Sequence, residues 1–173
     1  MSVPTRPRVT AELGFGRYAS PVGVLGVLVS RAGLRTLDWR LGRTPAYGEP
    51  DEAVQQVLTE LAEYFGGRRR RFDLVLDLPP MPPQTRAVLD AMAGIEYGET
   101  ITYGELARRS GTGLPPRAIG SIMGANPVPL VIPCHRVVAS IGLGGFSGGE
   151  PGHELATKRW LLELEGALPP TLL

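Results

Sequence analysis

The feature that most restricts what this chain can fold into is the run Leu78-Pro79-Pro80-Met81-Pro82-Pro83. Proline lacks a backbone N–H and fixes φ, so prolines at four of five successive positions exclude a helix interior and a central strand. What remains is an extended connector, and the patterns on its two sides differ. Upstream, β-branched and leucine-rich runs from Gly23 to Ser30 and from Leu34 to Trp39 flank Arg31-Ala32-Gly33 and read as an antiparallel hairpin. Asp51 to Phe65 carries Val54, Val57, Leu58, Leu61 and Phe65 at helical spacing, with Gly66 placed to end the helix. Phe72 to Leu78 reads as another strand, which completes a small α/β domain over residues 1–78.

Downstream, over residues 79–173, the pattern turns helical. Gln84 to Met92 is the first helix. Thr102-Tyr103-Gly104-Glu105 opens a second with capping-box spacing, Thr102 and Glu105 each able to satisfy the other's free amide. After the turn Gly111-Thr112-Gly113, a third helix starts near Pro116 and runs to about Ala125. Two short helices joined by a glycine turn describe a helix-turn-helix, and equally a packed helical pair with no DNA role. Gly120, Ser121, Gly124 and Ala125 tilt this balance. Glycine costs about 1 kcal/mol against alanine in a helix interior, so small residues here imply that a neighbouring helix or a DNA groove approaches the backbone closely.

Length and charge set the outer limits. A chain of 173 residues is one large domain or two small ones, and 43% hydrophobic with 20% charged residues excludes a disordered chain. No apolar run approaches the roughly 20 residues of a bilayer span, and the start MSVPTRPRVT has no apolar signal core. An intracellular, cytoplasmic protein is expected, with nucleoid association if the source is bacterial. A net charge of +1 does not announce a nucleic-acid binder, so any such role rests on a local patch. Between Glu99 and Gly149 two acids, Glu99 and Glu105, face four arginines, Arg108, Arg109, Arg117 and Arg136. The run Arg68 to Arg71 reads as a solvated loop between helix and strand.

The one cysteine, Cys134, rules out an intrachain disulfide, and with only His135 and His153 as other soft ligands no structural zinc site is expected. Cys134 lies in Asn126-Pro127-Val128-Pro129-Leu130-Val131-Ile132-Pro133-Cys134-His135-Arg136-Val137-Val138, an apolar segment stiffened by three prolines. A cysteine and a histidine there are either inert core residues or a thiol with its base. Neighbours in extended backbone point to opposite faces, so Cys134 and His135 need a turn or a bridging water to cooperate. A third group must then orient the imidazole. Glu165 is the candidate: it follows a helix from about Glu154 to Leu164, and a carboxylate in a final turn opposes the helix dipole. An exposed glutamate there is the alternative.

Taken together, these residues resemble the O6-alkylguanine-DNA alkyltransferases, the methylated-DNA-protein-cysteine methyltransferases. Pro133-Cys134-His135-Arg136-Val137, with Asn126-Pro127 upstream, is similar to the family's active-site signature. In the family's order come Tyr97-Gly98-Glu99-Thr100, Thr102-Tyr103-Gly104-Glu105-Leu106-Ala107 and Arg117-Ala118-Ile119-Gly120 before it, and Gly145-Phe146-Ser147-Gly148-Gly149 and Lys158 to Gly166 after it. The likeness covers about Tyr97 to Gly166 closely and the Ser20-Pro21-Val22-Gly23 hairpin more loosely.

The resemblance implies a small ribonuclease-H-like α/β domain followed by a mainly helical domain with a helix-turn-helix. It implies repair of O6-alkylguanine, and of O4-alkylthymine, by irreversible, single-turnover transfer of the alkyl group to Cys134. A flipped base enters a pocket, because its alkyl carbon cannot be reached in line within the stack. On this likeness Cys134 is the nucleophile, His135 the base acting through a water, Glu165 its orienting group, and Tyr103 the donor to the leaving purine. Arg117 enters the space the base vacates. Arg117, Ala118, Gly120, Ser121, Gly124 and Arg136 contact double-stranded DNA through the minor groove. Asn126 is the hinge residue; Val137, Phe146, Ser147 and Gly148 join it around the guanine. No cofactor or metal, no membrane and a monomer are expected.

Three departures from the family pattern bear on detail. Pro83-Gln84-Thr85-Arg86-Ala87-Val88-Leu89 stands where many members have Phe-Gln and then Val-Trp. Glu150 to Thr157 lengthens the connection to the last helix, and the N-terminal zinc ligands of some members are missing. Competing readings are a lesion-binding protein on the same scaffold, a cysteine hydrolase, and a plain helix-turn-helix regulator.

Overall fold

The computed structural model describes residues 13–44 and 50–172; the leading residues, on which the reading of the amino terminus rests, lie outside them. Three strands, β1 (Gly14–Ser20), β2 (Gly23–Ser30) and β3 (Gly33–Asp38), form an antiparallel meander. The expected hairpin is β2 and β3. The Ser20-Pro21-Val22-Gly23 hairpin of the resemblance is the turn that joins β1 to β2, although GFGRYAS has little strand propensity of its own. Its glycines answer to packing: a Cβ on Gly14 or Gly16 would lie 2.6 or 2.5 Å from a Val54 methyl, so glycine lets the next helix press onto the sheet.

That helix is α1 (Glu52–Phe65). Asp51 caps it by accepting from the Val54 N–H at 2.9 Å, and Val54, Val57, Leu61, Tyr64 and Phe65 are buried. Phe72 to Leu78 departs from expectation. It touches β3 at one parallel bridge, Leu34 with Leu76, made by Leu34 N–H to Val75 O and Asp77 N–H to Leu34 O, both 2.8 Å. The prolines that follow cannot donate to a ladder, so pairing stops there.

Beyond the connector lie α2 (Pro83–Ala93), β4 (Ile101–Thr102), α3 (Tyr103–Ser110), α4 (Pro116–Gly124), β5 (Val137–Val138) and α5 (Glu154–Leu164). The altered α2 sequence still buries Val88, Leu89 and Met92, and Pro83 takes the helix start, where no N–H is needed. The capping box of α3 is half made: Thr102 Oγ1 accepts from the Glu105 N–H at 3.2 Å, but the Glu105 carboxylate turns to Arg108 and Arg109. Gly111, at φ 63, ends α3 in the left-handed region that glycine tolerates. β4 and β5 pair in parallel and bring the start of α3 beside the segment that follows Cys134. The architecture is therefore a mixed α/β fold, a small sheet-and-helix half followed by a helical half. One apolar core runs from Leu25 and Leu61 through Met92 and Ile119 to Leu161. No described helix is long and apolar enough to cross a membrane.

Candidate active site

The approach to Cys134 is braced from behind. Asn126 Nδ2 donates to Ile132 O at 2.7 Å while its Oδ1 accepts from the Val128 N–H at 3.1 Å, so one side chain clamps both arms of the loop. Within that loop Leu130 adopts φ 74, the one non-glycine left-handed residue among those described. Such backbone persists where its surroundings over-determine it, and it marks a segment held to a particular shape.

Cys134, His135 and Arg136 then form a single 3-10 turn. A turn is one of the two arrangements, with a bridging water, that Cys134 and His135 need to cooperate; His135 Nδ1 has no hydrogen-bond partner among the described residues. The imidazole is buried, and its Nε2 lies 2.8 Å from Glu165 Oε1, with neither side chain exposed. Glu165 caps the end of α5, and Gly166 turns the chain away at φ 75. The same carboxylate takes a bidentate pair from Arg136, Nε to Oε2 and Nη2 to Oε1, each 2.9 Å, and the Tyr64 hydroxyl donates to Oε1 at 2.7 Å. Arg136 also donates to Ile95 O at 2.6 Å.

These partners fix protonation. Burial alone would push the Glu165 carboxyl up, but the hydrogen bonds and charges of His135 and Arg136 outweigh it and bring the value down to about 2. Glu165 is therefore an acceptor only, and the proton of the 2.8 Å contact belongs to His135 Nε2. Nδ1 is left with its lone pair, buried and without a protein partner among the described residues. Burial also lowers the His135 pKa, against the pull of Glu165. The ring is neutral at rest and has one basic nitrogen.

Burial pushes the Cys134 thiol up, opposed by the Asn126 amide, the Lys158 charge and the backbone N–H groups of Cys134 and His135. Sequence reasoning did not place Lys158 in the site, although it is the only lysine among 18 basic residues. It is fully buried, its Nζ donating to Val137 O at 2.7 Å and to Gly145 O at 2.9 Å. Burial brings its pKa down to about 8, against the pull of Cys134. Tyr64 was missed as well. No local signal marks it, because it comes from α1 and meets Glu165 across 101 residues of sequence.

The thiol opens into a cavity of about 280 Å³ lined by Tyr103, Gly120, Met123, Gly124, Cys134, Gly145, Phe146 and Ser147. Phe146 stands against Trp39 of the sheet half, edge to face at 6.3 Å. The Tyr103 hydroxyl donates to Gly145 O at 3.4 Å. Of the expected pocket residues, Phe146 and Ser147 line this cavity. Asn126 and Gly148 line an adjoining one that shares Cys134. Val137 lines neither, its carbonyl being held by Lys158. Half of the stretch from Glu150 to Thr157 is helix, since Glu154 already begins α5, while Glu150 pairs with Arg43 at 2.9 Å.

On α4, Arg117, Ser121 and Gly124 are exposed, and Ala118 and Gly120 are partly so. A Cβ on Gly120 would meet nothing within 4 Å, and on Gly124 only Ser147 Oγ at 4.0 Å, so no neighbouring helix accounts for these glycines. Arg136 needs correction. It was expected to contact DNA, but it is 6% exposed and turned inward onto Glu165, because a buried carboxylate requires a partner.

Comparison with known proteins agrees across both halves. The family described as 6-O-methylguanine DNA methyltransferase, ribonuclease-like domain, matches residues 14–78, and its DNA binding domain matches residues 83–167. A methylated-DNA–protein-cysteine methyltransferase of Methanopyrus kandleri is 41% identical over 128 residues, covering 74% of this chain and 91% of that protein. A protein of Thermus thermophilus named DNA base-flipping protein is 38% identical over 152 residues, 86% of this chain and 97% of that one. The crystal structure of Mycobacterium tuberculosis OGT in complex with DNA superposes with a TM-score of 0.73 at 35% identity, covering 88% of this chain and 92% of that chain. With both domain families matched in order over most of its length, the chain belongs to the 6-O-methylguanine DNA methyltransferase family.

Proposed function

We propose that this protein repairs alkylated DNA by moving an alkyl group from O6 of guanine onto Sγ of Cys134, once per molecule. One observation carries the reading: the chain's single thiol opens into a pocket beside α4 and shares one turn with a histidine whose Nε2 is held by a buried glutamate, which leaves its Nδ1 free.

His135 Nδ1 takes the thiol proton through a bridging water, and the thiolate attacks the alkyl carbon. The S–C bond forms as the C–O6 bond breaks, and the electron pair passes into the purine ring. Tyr103, on the pocket wall, donates a hydrogen bond or proton to the departing base. Asn126 and Lys158 bring positive dipole and charge to the sulfur as it ionises. The thioether is stable and the chain holds no second thiol to take the group on, so each molecule reacts once.

The exposed small residues of α4 support a duplex lying against it, through the minor groove, with Arg117 filling the space left by a flipped base. The division at residues 78 and 79 gives the second half the thiol and the DNA face. The first half supplies Trp39 behind Phe146 and Tyr64 behind Glu165. The protein acts as a monomer, in the cytoplasm. A lesion-binding role without chemistry is the second reading, favoured by the likeness to the base-flipping protein; the presence of Cys134 weighs against it.

The test is a titration of a duplex carrying one O6-methylguanine. Repaired guanine equal to the protein added, with no further turnover, supports the reading; bound but unrepaired lesion refutes it.

A further inference from the structure

We infer that the Tyr64 hydroxyl is a positioning group of the acid–base chain: it sets the basicity of His135 through Glu165, and so gives the sheet half a part in the chemistry. The inference rests on the proposed transfer to Cys134.

Glu165 Oε1 receives three donors, Tyr64 Oη at 2.7 Å, His135 Nε2 at 2.8 Å and Arg136 Nη2 at 2.9 Å, while Oε2 receives Arg136 Nε at 2.9 Å. Arg136 alone engages both oxygens and neutralises the charge, so Tyr64 is not needed to pair the carboxylate. Its hydroxyl falls on the same oxygen that His135 uses. A hydrogen bond to that oxygen draws charge from it and weakens its hold on the Nε2 proton. Burial and the nearby Glu165 charge keep the Tyr64 hydroxyl protonated well above its ordinary range, so it remains a donor throughout the working pH range.

Tyr97 and Lys158, two further titratable groups beside this chain, each have partners of their own. Tyr97 donates to Leu164 O at 3.2 Å, and its ring lies under the Arg136 guanidinium at 5.8 Å. Lys158 faces Cys134 and His135 from α5 but is tied to Val137 O and Gly145 O. Among the described residues, Tyr64 is the one donor to Glu165 that comes from before the proline connector. Its ring packs against Phe65 and Phe72 at 5.3 Å each, which holds the hydroxyl in place.

With Tyr64 present, His135 stays neutral and ready to accept a proton. Without the hydroxyl, Oε1 carries more charge, the imidazolium is stabilised, and the base becomes protonated at higher pH. The experiment is the pH dependence of methyl transfer to the full chain in wild type, Y64F, E165Q and the double variant. Phenylalanine nearly fills the same volume and Arg136 still satisfies both oxygens, so Y64F should fold, which a thermal melt checks. The midpoint of the acid limb should move up by roughly one unit in Y64F, the scale expected for losing a hydrogen bond to a charged group. It should not move when Y64F is added to E165Q. An unmoved or lowered midpoint, or an equal shift in both backgrounds, overturns the inference. Absence of transfer by wild type would instead overturn the proposed function, so the two failures are distinct.

Discussion

Arg136 and Glu165 meet through two hydrogen bonds of 2.9 Å inside the core, between an arginine side chain 8% exposed and a glutamate side chain with no exposure. Removing one partner of such a pair strands the other charge, at a cost of about 3–5 kcal/mol. Arg136→Met should therefore lower the unfolding free energy by about that amount in urea melts, while leaving the salt dependence of DNA binding by the folded protein unchanged. A surface DNA contact would do the reverse.

The same pair gives an acid signature. Glu165 sits at about 2 in the folded chain and near 4.3 when unfolded. A depressed carboxyl adds stability that is complete above the unfolded value and is lost as pH falls toward the folded one. The urea midpoint of wild type should fall between about pH 4 and pH 2, and its advantage over Glu165→Gln should shrink across that window.

Burial holds the Cys134 thiol above its ordinary pKa, so few molecules carry a thiolate at neutral pH unless a base removes the proton. His135→Ala should slow transfer at neutral pH by about 10²–10⁴-fold, the usual worth of a positioned base, and the loss should narrow as rising pH ionises the thiol directly. A variant equally slow at every pH would remove His135 from the role of base.

The α4 surface separates stability from function. Gly120 has open space where a Cβ would go, so Gly120→Ala should raise stability by up to about 1 kcal/mol through helix propensity alone. The same methyl should weaken binding to damaged duplex, seen as a higher Kd in fluorescence anisotropy. Unchanged affinity would show that nothing approaches this backbone.

Arg117→Ala should slow repair within a duplex and leave reaction with a free O6-alkylguanine base unchanged, because only the duplex requires a base to be extruded. Equal loss on both substrates would place Arg117 in the chemistry or the fold instead of the vacated stack.

Much of this was legible in the sequence where the signal was local. The proline connector, the amphipathic α1, the start of α4 and the run around Cys134 each carry their information within a few residues. Glu165 was legible as an anomaly, a carboxylate at the wrong end of a helix dipole, and the structure resolves it by placing Arg136 and His135 on that carboxylate. Arg136 itself was misread because sequence shows charge and not direction, and only tertiary packing decides whether an arginine faces water or a buried acid. Tyr64 was invisible because its place in a helical apolar stripe explains it fully until Glu165 arrives from the far end of the chain. Lys158 did carry a signal, as the lone lysine in an arginine-rich chain, and its burial on two carbonyls gives that exception its meaning. The segment from Phe72 has strand composition but runs into prolines, which end its pairing after a single bridge.

The most direct test is peptide mass mapping after the protein meets a duplex with O6-methylguanine. The peptide bearing Cys134 should gain the mass of one methylene, in proportion to the guanine restored, with every other peptide unchanged. An unmodified Cys134 beside repaired guanine, or a methyl group on any other residue, would contradict the account.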